Sequence, residues 1–457
     1  MRQLTAKLLM VQDKPGLRRV AQIAWPAMIE SFFVAVTPLI DQFMLSGVGY
    51  YAIAAVGLTA QPKFIAIAPF LSVNVAINAL VARRKGREDR LDAHRILLAA
   101  LLFACAGTVV IGAFCASLSD PLMRLVGSSA DTHDSASKYF RIIMGGIFFN
   151  VIYLTINAAQ RGSGKTNLSM RTNVVSSLVN IFFNWLLIEG RLGCPAMGVT
   201  GAAIATVLGS VAACVMSILS LLSKDSFLSI GYFLSNHVRA TVKSVGAITN
   251  IASSVLVENI LIRLGYMATA LMAAKLGSAA MAAHNVGLNL LTLSFSVGDG
   301  IQVAAVALIG QSLGQGKPER AKYYGRMCQE LAFATAAFVT IFYLLGGRNL
   351  YTLFFLEDPD IVVYGVMIIH RLVAVIAVQI SQVVYLGSLR GAGDAKYVSM
   401  ALIVSVTIVR AGTGYLFCEM LGMGLSGLWL SILADQVSRY LFTSVRFKKG
   451  RWTDIVI

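Results

Sequence analysis

The residues Gly162-Ser163-Gly164-Lys165-Thr166 are of the types that cradle phosphates: a glycine-rich turn ending in a lysine and a hydroxyl. A phosphate loop requires Gly-x-x-x-x-Gly-Lys-Ser/Thr, because a wrapped backbone must aim several N–H groups at the anion. Five positions before Gly164 stands Ala159, and the long apolar run 147–157 precedes it where a strand would be needed. A second kind of chemistry is offered by ionisable side chains within apolar stretches: Glu30, Asp41 and Lys63 early in the chain, then Glu258, Arg263, Asp299 and Arg410. Inside a bilayer such a group costs roughly 2.5–3.5 kcal/mol on insertion scales, which makes each a candidate for ion or substrate handling. No His, Cys, Asp and Glu residues cluster at metal-ligand spacing. The cysteines at 105, 115, 194, 214, 328 and 418 form no CxxC pair and imply neither a zinc site nor a disulfide framework. With no nucleophile elbow either, the chain reads as a non-enzyme with no cofactor.

These side chains must be positioned by elements that live in lipid. Of the 457 residues, 57% are hydrophobic and 13% charged, against roughly 25% charged in a soluble domain. The expected class is an all-α integral membrane protein. About twelve apolar spans fit between residues 19 and 446, since crossing ~30 Å of hydrocarbon takes ~20 helical residues. The first twenty residues, basic and mixed, are not expected to form a cleavable signal.

The net charge of +16 would suit nucleic acid, but its placement argues for topology. Of 38 Lys and Arg, 27 lie at the N-terminus and in the segments 83–95, 161–171, 224–243, 317–326, 390–396 and 446–451. Only six lie in the alternate connections, and five (Lys63, Arg263, Arg371, Arg410 and Arg439) lie inside spans. By the positive-inside rule the crowded set is cytoplasmic, as are both termini. The chain is therefore expected in the cell's inner (plasma) membrane, with lipid around it, no nucleic-acid partner, and as a monomer.

An internal repeat disposes of the phosphate loop. Arg161-Gly-Ser-Gly-Lys165 recurs as Arg390-Gly-Ala-Gly-Asp394, 229 positions later. Gly198-Val-Thr-Gly201 recurs as Gly424-Leu-Ser-Gly427 at an offset of 226, and Glu30 falls on Glu258 at 228. Near-constant offsets of this kind mark a duplicated transporter architecture. The expected organisation is an N-lobe of six helices at 1–223, a cytoplasmic linker at 224–239 and a C-lobe of six helices at 240–457. Six helices per half give both halves the same orientation, related by a pseudo-twofold axis along the membrane normal. In the second copy the presumed phosphate lysine is Asp394, so no nucleotide site is expected.

Several stretches then resemble one family. They are Asp41-Gln-Phe-Met-Leu-Ser-Gly47 after the proline-bearing first helix, Ala79-Leu-Val-Ala-Arg-Arg-Lys-Gly86, and Asn180-Ile-Phe-Phe-Asn184. Met197 to Thr206, Ala282 to Asn289 and Leu308 to Gly316 continue the likeness in matching order. The chain resembles prokaryotic members of the multidrug and toxic compound extrusion (MATE) family, within the MOP flippase superfamily. The resemblance implies a secondary antiporter that exports cationic or amphipathic small molecules in exchange for H⁺ or Na⁺. It implies an ion-coupling role for Asp41, with Asn180 and Asn184 as its fifth-helix partners, and a bend at Pro26. Na⁺, if used, would sit at Asp41, Asn180 and Asn184 or near Glu258. Where some relatives carry aspartate in the tenth helix, this chain has Gln379, and Asn184 stands where some branches have aspartate. A flippase of lipid-linked oligosaccharide is the alternative within the same superfamily. A major-facilitator carrier fits less well, because 82–90 does not carry that group's loop motif.

The charges themselves suggest a switch. Glu30 and Asp41 lie eleven residues apart on one helix, facing nearly the same way at about 16 Å difference in depth, with Lys63 of the next helix between them. Burial disfavours a charged carboxylate and a nearby cation favours it, so uptake of a proton or Na⁺ can evict a cationic cargo. Lys63 would pair with one of these carboxylates, or else snorkel towards the headgroups. In the second half Asp299 is the expected partner of Arg263, and Arg410 would cap a carbonyl or pair with Glu258. His284 reads as an interfacial histidine.

Overall fold

The computed structural model describes residues 14–223, 226–354 and 359–455; the clustered cations Arg2, Lys7 and Lys224 lie outside them. The described residues form helices and turns, with no strand among them. In lipid each backbone N–H and C=O must be satisfied within its own segment, which an apolar helix achieves. The long helices are α1 (Lys14–Ser46), α2 (Tyr50–Gly86) and α3 (Arg90–Ser117). Next comes α4, bent by 49° between Ala130–Gly145 and Ile147–Gly162, then α5 (Thr166–Leu187) and α6 (Gly198–Leu222). The second run comprises α7 (Val242–Lys275), α8 (Ser278–Gly314), α9 (Pro318–Phe354), α10 (Pro359–Gly391), α11 (Ala395–Met420) and α12 (Gly424–Lys449). Nine of the described helices are long and apolar enough to cross a membrane, and ten with bent α4 counted as one span. The other two, α5 and α12, complete the twelve positions and are more polar, for reasons the buried side chains explain below. α1 runs unbroken through Pro26, which is buried.

The Arg-Gly-x-Gly stretches are helix ends built identically. At the end of α4, Lys165 N–H donates to Gln160 O and Gly164 N–H to Arg161 O, each at 2.9 Å. At the end of α10, Asp394 N–H donates to Leu389 O and Gly393 N–H to Arg390 O, again at 2.9 Å. This is the Schellman pattern, which needs a left-handed residue after the helix; Gly164 and Gly393 supply it at φ 87° and 91°. The N–H groups that a phosphate would require are spent on helix carbonyls. The first glycines serve close packing instead. A Cβ on Gly162 would lie 2.5 Å from Asn78 O of α2, and one on Gly391 would lie 2.6 Å from Val306 O of α8. Gly391→Ala is therefore expected to cost about 1–3 kcal/mol through overpacking, measured as a lower melting temperature of purified protein.

By backbone proximity the chain forms two compact units: Phe32–Leu256, and residues 1–31 together with Val257–Ile457. The boundaries fall inside α1 and α7. In the second unit the core includes Val20, Ile23 and Ala24 of α1, Ile301 and Leu308 of α8, and Trp429 and Ile432 of α12. Its C-terminal end is closed by Trp452, which stacks on Phe447 at 4.9 Å between ring centres.

Candidate functional site

In the unit Phe32–Leu256, five helices line a cavity of about 490 Å³. α1 brings Thr37 and Asp41, α2 brings Lys63, and α4 brings Tyr139, Asn150 and Tyr153. α5 contributes Asn173, Ser177 and Asn180, and α6 contributes Thr206 and Ser210. Helical periodicity explains the α5 contribution: 173, 177, 180 and 184 recur at intervals of four, three and four, which puts all four on one face. That face explains the low hydropathy of α5. Asn173, Asn180 and Asn184 are buried, and in lipid only a polar neighbour could compensate them.

Asp41 is the focus of this surface. Asn184 Nδ2 donates to its Oδ1 at 2.5 Å. With the Asn180 amide turned so that its oxygen accepts from Thr206, its Nδ2 lies 2.8 Å from the same carboxylate oxygen. The hydroxyls of Thr37 and Ser177 are 2.8 Å apart and tie α1 to α5 beside it. Lys63 is half-buried, borders the same cavity and attracts Asp41 across it. Four of the expected residues, Asp41, Lys63, Asn180 and Asn184, thus come together. Glu30 does not line this cavity; it is buried and belongs to the other unit.

In that second unit the pairing differs from expectation. Glu258 is buried and accepts from Arg390 of the α10 turn and from Ser399 of α11, each at 2.7 Å. It is therefore a clasp on the α10–α11 turn, and Arg410 is not its partner. Arg410 is instead 3.7 Å from Asp435 of α12 and lies over the Tyr266 ring at 4.7 Å. Asp435, with no exposed surface, accepts two hydrogen bonds from Arg439, each at 2.8 Å, and another from Ser405. Arg410 ends a π-helical stretch, Val404–Arg410, a distortion of the kind that often accompanies a special side-chain placement. Arg263 and Asp299 are half-buried on α7 and α8. Gln379 is fully buried in α10. His284 is buried edge-on to Trp429, 5.8 Å between ring centres.

Several cavity residues escaped the sequence reading. Asn173 and Ser177 carried a signal, the polar stripe of α5. Asp435, in the other unit and outside this cavity, also escaped although it carried a signal, standing four residues before Arg439 on one helical face. Tyr139, Asn150 and Tyr153 gave none, because a bent helix presents them and the bend is not written in any local motif.

A helical membrane bundle whose buried polar side chains line a cavity has the build of a solute transporter. The MatE family model matches residues 26–186 and again 254–416, two matches whose starts are 228 residues apart. A protein of Thermotoga maritima described as a probable multidrug resistance protein NorM is 25% identical, over 96% of this chain and 94% of its own length. An uncharacterized transporter of Bacillus subtilis, YisQ, is also 25% identical, over 94% of each chain. Among solved structures, one described as the outward-facing conformation of a multidrug resistance MATE family transporter superposes with a TM-score of 0.87. It is 22% identical, and the match covers 95% of this chain and 97% of that one. The chain belongs to the MatE family, and is a membrane transporter rather than an enzyme.

Proposed function

We propose that this chain is a secondary active multidrug efflux antiporter, exporting cationic or amphipathic compounds in exchange for H⁺ or Na⁺. The observation that carries this reading is the Asp41 cavity. A carboxylate in an amide-lined cavity within the membrane can hold a small cation or the cationic part of a cargo, but gains nothing from holding both. The names of the NorM relatives support drug-like cargo. Asn180 and Asn184 orient Asp41, while Pro26 gives α1 a point of bending because it lacks an N–H and crowds the preceding turn. In the second unit Glu258, Arg263, Asp299, Gln379 and Arg410 hold helices in register and border the cargo path. Two six-helix lobes, 1–223 and 240–457, joined by the linker 224–239, are the working parts. The asymmetry of Lys and Arg supports a cytoplasmic position for both termini in a cell whose inner membrane holds the protein, and the working form in this proposal is the monomer.

The test is ethidium efflux into everted membrane vesicles, with a pH gradient and a sodium gradient imposed separately. At least one gradient is expected to drive accumulation above vesicles lacking the protein. Equal accumulation with and without the protein under both gradients overturns the proposal.

A further inference from the structure

The Asp41 cavity carries two formal charges, the Asp41 carboxylate and the Lys63 ammonium, and these cancel. The other titratable groups facing it are the phenols of Tyr139 and Tyr153. Lys63 Nζ forms no hydrogen bond or ion pair with any described residue; its one electrostatic partner is Asp41. The groups that touch Asp41 are donors. Asn184 presents Nδ2, and Asn180 presents Nδ2 while its oxygen faces Thr206. Na⁺ in a transporter is held by carbonyl and carboxylate oxygens, as hard cations generally are. Here the Asn180 oxygen faces Thr206 and not the carboxylate, and the other charged group of the cavity is itself a cation.

We propose that Lys63 is the ion-selectivity element of this cavity: its ammonium, sharing the cavity with Asp41 without pairing with it, repels a coupling Na⁺, so Asp41 exchanges protons and not sodium ions. This rests on Asp41 being the coupling group of an ion-driven exporter. A proton has no need of a ligand cage; it adds to a carboxylate oxygen and takes the cavity from neutral to one positive charge. That change expels a cationic cargo by removing its counter-charge and leaving it to face Lys63. A sodium ion beside the charged carboxylate would still face Lys63 and, unlike a large organic cation, would gain nothing from the apolar lining of Val34, Phe64 and Ile67. For two unit charges about 4–8 Å apart at an effective dielectric near 20, the penalty weakens Na⁺ binding by a factor of roughly 30 to 1,000.

The experiment uses full-length protein in proteoliposomes, with ethidium efflux driven by a pH gradient alone or by a sodium gradient at clamped pH. Wild type and Lys63→Arg are expected to respond to the pH gradient only. Lys63→Met is expected to become responsive to sodium. Melting of the detergent-purified proteins is followed in parallel against added NaCl, with choline chloride as the control. Only Lys63→Met should gain a Na⁺-specific rise, and Asp41→Asn in that background should abolish it. Sodium-driven efflux by wild type, or a Na⁺-specific rise in its melting temperature, overturns the selectivity proposal while leaving the transport reading intact. A methionine variant that melts without regard to Na⁺ overturns it as well, whether or not that variant transports. Wild type that moves ethidium under neither gradient removes the transport reading, and the selectivity proposal falls with it.

Discussion

Asp41→Asn is expected to bring ion-driven ethidium efflux down to the level of membranes without the protein, while the amount of protein inserted stays near wild type. Asparagine keeps the size and planarity of the side chain but cannot alternate between a charged and a neutral form. Cargo and ion then no longer compete for one group, and a gradient has nothing to act on. The cavity should survive, because Asn184 Nδ2 still finds an oxygen at position 41 to which it can donate. The check pairs efflux assays with immunoblots and size-exclusion profiles of the purified variant. Efflux within about twofold of wild type, against the 5–150-fold scale of typical coupling between sites, would remove Asp41 from the mechanism.

Asp435→Ala is expected to damage the protein itself. Asp435 accepts two hydrogen bonds from the buried Arg439 head, which also donates to Ser405, and is the anionic partner of Arg410. Removing it leaves two guanidinium groups in a low-dielectric core with no counter-charge. Breaking a buried pair in this way costs about 3–5 kcal/mol, a large share of a total stability of roughly 5–15 kcal/mol. The expected outcome is a sharp fall in yield and in melting temperature. Arg439→Met in the same background should recover part of the loss, because it withdraws one of the stranded charges. A single alanine variant that melts like wild type would show that solvent or another group already neutralises the cluster.

The fold was legible because its causes are local. Apolar runs of membrane length announce helices. Duplicated Arg-Gly-x-Gly turns announce two copies, and the same hydrogen bonds close both turns. Asp41 was legible because a charge inside an apolar span is costly and therefore conspicuous, whereas Asn180 and Asn184 were named as its partners through the family resemblance. The partners of the second-half charges were not. Glu258 chooses Arg390 and Arg410 chooses Asp435 through the register of α10, α11 and α12, and nothing within one helix fixes that register. A π-helical stretch shifts the side chains beyond it around the axis, so a constant 3.6-residue period misplaces Arg410. The tyrosines and asparagine of α4 depend on a 49° bend at Gly145–Gly146, which composition alone does not encode.

The central claim, that one carboxylate serves ion and cargo in turn, is tested most directly by ethidium binding to purified protein, followed by fluorescence anisotropy. H⁺ is raised in one titration and Na⁺ in another, for wild type and for Asp41→Asn. Wild-type affinity is expected to fall by roughly tenfold or more as the coupling ion is added, within the range of ordinary site–site coupling, and the variant's weaker affinity is expected to stay constant. Wild-type binding indifferent to both ions, or an equal fall in the variant, would contradict it.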